Sequence, residues 1–129
     1  MTIVRSVLAV VAGLVFIFFT HIGTDQALHA AGVFPPQGQP MFDPALNALA
    51  LGYRCFFSVL GCALTAALAP GQAMRHALVL GGIGTVLSAV GSAMALMMHF
   101  GPAWYPIALT LSALPCAWVG GKIGEAAAR

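Results

Sequence analysis

Charge is what this chain has least of. Only 6% of its residues are Asp, Glu, Lys or Arg, where a soluble domain carries about 25%. Five basic and three acidic side chains cannot clothe a soluble surface, so a water-borne domain is excluded. A formal net charge of +2 gives no electrostatic footprint for nucleic acid. Catalytic signatures are also missing: there is no G-x-S-x-G, Walker loop, H-E-x-x-H or C-x-x-C, so no enzyme is expected. The three cysteines lie in apolar runs. Cys55 and Cys62 are about 10 Å apart along one helix, too far for a disulfide, and all three read as free thiols acting as small hydrophobes.

What is present is long apolar sequence, with a mean hydropathy of +0.96. It implies one all-α membrane domain over residues 1–129, an antiparallel bundle of four transmembrane helices. The spans fall at about 6–23, 45–69, 77–98 and 103–121, each sufficient for a hydrocarbon core of about 30 Å. Arg5 ahead of the first run raises a secretory signal, but the run exceeds the usual 7–15 residues and no A-x-A site closely follows. The first helix can continue past the membrane to Gly32. A longer loop at about 24–44 is broken by Pro35, Pro36 and Pro40, and Asp43-Pro44 reads as an N-cap followed by proline at the first helical position. Arg5, Arg75, Lys122 and Arg129 share one side of this topology, while the loops after spans one and three hold no Lys or Arg. Both termini are therefore expected in the cytoplasm and the proline-rich loop in the periplasm.

Ala108, Ser112, Cys116, Gly120 and Gly124 recur every four residues on the fourth span. Such a stripe lets helices approach closely in lipid, either within the bundle or between copies of the chain. Pro115, inside the same span, is expected to kink it.

Arg54 is the one charge inside a span. A central arginine costs about 2.5–3.5 kcal/mol on insertion scales, less near an end, where it can snorkel. Asp25, past the end of the first span, is its expected partner; Asp43 and lipid phosphate are rivals. The pair reads either as a clamp fixing helix register or as a site for an anion or a coupled ion. No acid lies inside a span, which argues against a small multidrug-type exporter. His21, Asp25 and His29 follow at spacing four, and His99 is expected on the same side. Two of the first three with His99 make a conceivable zinc or copper set. His21 and His29, about 12 Å apart on a straight helix, cannot share one ion. A haem between His21 and His99 is a related reading. His76 lies at the other end.

Phe34-Pro35-Pro36-Gln37-Gly38-Gln39-Pro40-Met41, Tyr53-Arg54, Leu64-Thr65-Ala66-Ala67-Leu68-Ala69-Pro70 and His76-Ala77-Leu78-Val79-Leu80-Gly81-Gly82-Ile83-Gly84 stand in order along the chain. Gly101-Pro102-Ala103-Trp104-Tyr105-Pro106 and Ala113-Leu114-Pro115-Cys116-Ala117-Trp118-Val119-Gly120-Gly121 follow. Together they resemble a group of small bacterial four-span membrane proteins over nearly the whole length. The resemblance implies a bacterial inner-membrane location and brings no activity with it. The expected function is an accessory or structural membrane component that needs no cofactor. Its expected partners are the lipid bilayer, a second copy or another membrane protein. The alternatives are a subunit of a small oligomeric transporter or channel, and periplasmic-side metal or haem binding.

Overall fold

The computed structural model describes residues 2–36, 39–99 and 101–128; Gln37 and Gly38 of the proline-rich loop, Phe100 and Arg129 lie outside the described residues. The chain forms four helices: α1 (Thr2–Ala30), α2 (Pro44–Leu68), α3 (Ala73–Met98) and α4 (Trp104–Ala128), with no strand among the described residues. Each helix is long and apolar enough to cross a membrane.

The ends follow local chemistry. α1 stops where Gly32 turns to φ +78°. The N–H of Gly32 then bonds to the carbonyl of His29 (3.2 Å) and that of Val33 to Leu28 (3.0 Å), the paired closure of a Schellman motif. α2 opens as expected: Asp43 accepts a hydrogen bond from the Ala45 N–H (2.8 Å) and Pro44 takes the first position. α3 starts four residues earlier than expected, because Gln72 adopts the left-handed conformation (φ 50°) and Ala73 to His76 are already helical. α4 runs seven residues past the expected end of span four, to Ala128, and continues through Pro115.

The core is built from small side chains. Ala9, Ala50, Cys62, Ala66, Ala77 and Ala117 are buried, and the largest fully buried side chains are Leu80 and Thr65. Helices therefore meet almost backbone to backbone. A Cβ at Gly13 of α1 would collide with Thr65 and the carbonyl of Gly61 on α2, and one at Gly61 with Ile17. Thr65, fully buried, donates to the carbonyl of Ala9 (2.8 Å) and ties the same crossing. On α4, Gly120 and Gly124 press on α2 at Val59, Cys62, Ala63 and Ala66. The lower part of the small-residue stripe is thus spent inside the chain, while Ala108, Ser112 and Cys116 are half-buried. α4 packs chiefly on α2 and α3; α1 packs chiefly on α2, touches α3 less, and among the described residues makes no packing contact with α4.

Candidate functional site

One group of polar residues gathers at one end of the helices, beneath the segment joining α1 to α2. Asp25, near the end of α1, accepts hydrogen bonds on both carboxylate oxygens: Oδ1 from the Tyr53 hydroxyl and Oδ2 from Arg54 Nη2. Arg54 and Asp25 form an ion pair with about a quarter of each side chain exposed (24% and 25%). The Arg54 guanidinium also lies 5.9 Å from the centre of the Tyr53 ring, within cation–π range. Asp43 caps α2 instead, so of the two acids considered for Arg54 it is Asp25 that meets it.

The connecting segment is fastened over this pair. Phe34 is buried and stacks on Tyr53 (centroids 6.5 Å apart). His29 meets the edge of Phe34 at 5.4 Å and donates through Nδ1 to the carbonyl of Pro35 (2.7 Å). Asn47, also buried, donates to the carbonyls of Met41 (3.0 Å) and Asp43 (2.9 Å), so one side chain on α2 holds the end of the segment in place. Replacing Asn47 by Ala removes both side-chain bonds; the Met41 carbonyl loses this partner, while the Asp43 carbonyl keeps the backbone N–H of residue 47 (3.1 Å). Each bond contributes about 1 kcal/mol, and limited proteolysis between residues 31 and 43 is expected to accelerate roughly tenfold, with cleavage elsewhere unchanged.

His21, one turn below Asp25, donates from Nε2 to the backbone carbonyl of Arg54 (3.2 Å). The metal set considered from sequence is not assembled. His21 and His29 each hold a different backbone carbonyl, His99 is exposed at the left-handed end of α3, and among the described residues no three His, Cys, Asp or Glu side chains are placed to hold an ion. The cysteines are free thiols.

Two cavities meet at the ion pair. The upper one, about 400 Å³, lies under the connecting segment and is lined by Asp25, Phe34, Asn47, Tyr53, Arg54 and Tyr105, among others. The lower one, about 320 Å³, runs down between α1 and α3 with α2 and α4 as its floor. Asp25 and Arg54 line both. Arg54 Nε is shielded from solvent and has no hydrogen-bond partner among the described residues. An unmet donor of this kind costs about 1–3 kcal/mol.

Tyr53, Phe34 and Asn47 are the site residues that the charge-based reading of the sequence did not assign. Asn47 carried a signal, since an amide inside an apolar helix needs partners. Comparison with known protein families, with curated proteins and with solved structures finds no match for this chain.

Proposed function

We propose that the chain is a four-span integral membrane protein of a bacterial inner membrane, with antiparallel helices and both termini cytoplasmic. It acts there as an accessory or structural component, working with a second copy or another membrane protein. The observation that carries this reading is the outward surface. Ile3, Phe18 and Phe19 of α1, Phe56 of α2, Val86 and Met97 of α3, and Leu111 and Trp118 of α4 are exposed, which water would not tolerate and lipid requires. The short connections at residues 69–72 and 99–103 favour helices that turn straight back. Several polar groups hold helices together: Thr65 on Ala9, Ser92 on Thr110 (2.8 Å), and His76 on Ser6 (2.8 Å).

Reporter fusions test the topology. A reporter active only in the cytoplasm is expected to work when fused after residue 129, and one active only in the periplasm when inserted near residue 38. The opposite pattern overturns the orientation. For the role, extraction in mild detergent is expected to bring down a stoichiometric membrane partner or a homo-oligomer. One specific observation favours a second reading, a transporter subunit: the paired charges of Arg54 and Asp25 line two cavities. Solute flux into proteoliposomes holding the pure protein, lost on Arg54 substitution, selects that reading over the first.

A further inference from the structure

The two cavities share one wall. The upper carries aromatic and hydrogen-bonding groups; the lower is mostly apolar, with Leu14, Phe18, Ile22 and Leu87 of α1 and α3, and also holds His21, Ser58, Ser88 and Ser112. The lower one opens sideways. α1 meets α3 closely near its beginning, where Ser6 bonds to His76, and Phe18, Ile22 and Leu87 farther along are largely exposed. Both volumes lie in the range of ordinary ligand pockets. A chamber walled by an ion pair and joined to a lateral, mostly apolar groove fits an amphiphile.

The ion pair specifies the head. Arg54 and Asp25 cancel in charge, so a lone anion would leave the site net negative, away from bulk water, at high cost. A head with both signs leaves it neutral. The pair has capacity for both: among the described residues, Arg54 Nε has no acceptor, and the Asp25 oxygens accept one side-chain hydrogen bond each from Tyr53 and Arg54, where a carboxylate offers about four acceptor positions. Tyr53, Phe34 and Tyr105 add ring faces suited to an ammonium.

We propose that one membrane phospholipid enters between α1 and α3, its phosphate at Arg54, its ammonium at Asp25 and the adjoining rings, and an acyl chain in the groove. The inference rests on the membrane reading above. Gly84 lines the groove, and a Cβ built there meets nothing within 4 Å. Gly84→Leu therefore plugs the groove without disturbing packing. Gly91, on the same helix, is equally open and does not line the groove, so Gly91→Leu is its control.

The full chain, purified in non-ionic detergent and stripped of lipid, is titrated with phosphatidylethanolamine, phosphatidylglycerol, phosphatidylcholine or inorganic phosphate, and adducts are counted by native mass spectrometry. The expected result is one phosphatidylethanolamine, retained roughly tenfold better than the other two lipids. That retention should fall roughly tenfold in Gly84→Leu and in Arg54→Lys, and stay unchanged in Gly91→Leu. Equal retention by Gly84→Leu, a preference for phosphatidylglycerol, or displacement by millimolar inorganic phosphate overturns the proposal. Recovery of the chain in the soluble fraction without detergent overturns the membrane reading as well. A membrane-extracted protein that binds no lipid overturns this proposal alone.

Discussion

Asp25→Ala is expected to destabilise the protein more than Arg54→Ala, although the two remove opposite halves of one ion pair. The difference follows from what each leaves behind. Without Asp25, the Arg54 guanidinium keeps its charge and loses its acceptor, adding an unpaired Nη2 to the Nε that already lacks one. The Tyr53 hydroxyl loses its acceptor too. Without Arg54, the Asp25 carboxylate still accepts from Tyr53, and the unmet Nε is gone. Removing one member of a fully buried pair costs about 3–5 kcal/mol, and an exposed pair contributes about 0–1. With a quarter of each side chain exposed, a loss of roughly 3 kcal/mol for Asp25→Ala and about half that for Arg54→Ala is expected. The double variant Asp25→Asn/Arg54→Gln, which keeps shape without charge, should recover most of the loss. Thermal unfolding in one detergent reads all three, with a fall in Tm of roughly 10 °C for Asp25→Ala. Equal melting of the two single variants would remove the unmet donor from the account. A double variant no better than Asp25→Ala would remove the pair itself.

The second large effect belongs to Gly120. A side chain there would run into the Val59 carbonyl and the Ala63 backbone nitrogen on α2, as well as the Cys62 Cβ. These are backbone atoms of a regular helix, so they cannot swing aside as a side-chain tip can, and the two helices must separate. Overpacking of a close interface costs about 1–3 kcal/mol, occasionally more. For Gly120→Leu the upper end applies, since α2 against α4 is one of the two most extensive helix pairings among the described residues. Gly82→Leu is the comparison: a Cβ there meets nothing within 4 Å, and removing a helical glycine gains about 1 kcal/mol in propensity. Gly120→Leu should therefore lose most of its folded yield in membranes, and Gly82→Leu should match or exceed the parent. Similar yields for both would show that close approach at the α4 stripe does not hold the bundle.

These two cases also show how far the sequence could be read. The four helices were legible because an apolar run of such length allows little else, and Gly32 and Asp43-Pro44 marked their termini through known backbone chemistry. The start of α3 was not legible. Gln72, Arg75 and His76 make residues 71–76 polar enough to read as a turn, and no residue type announces a left-handed Gln72. The repeat of small residues on α4 identified a packing face, because period reports which side of a helix is small. It could not report which neighbour lies against that side, since that depends on the arrangement of all four helices. Asp25 and Arg54 could be matched as the scarce opposite charges near one end. Tyr53 escaped because its hydroxyl finds Asp25 across 28 positions of chain, and nothing local distinguishes it from an interfacial tyrosine.

The pairing of α2 with α4 has a consequence for how the protein is made. A chain emerging at about 5–20 residues per second delivers α2 about 3–11 seconds before the last turn of α4. During that interval the face of α2 carrying Cys62, Ala63 and Ala66 waits for its main partner. The first helix is already present, and the bonds from Tyr53 and Arg54 to Asp25 are among the earliest interhelical ties the growing chain can form. The polar cluster is then a temporary latch before it is a permanent one. It ties α1 to α2, so that the last helix arrives at a prepared seat.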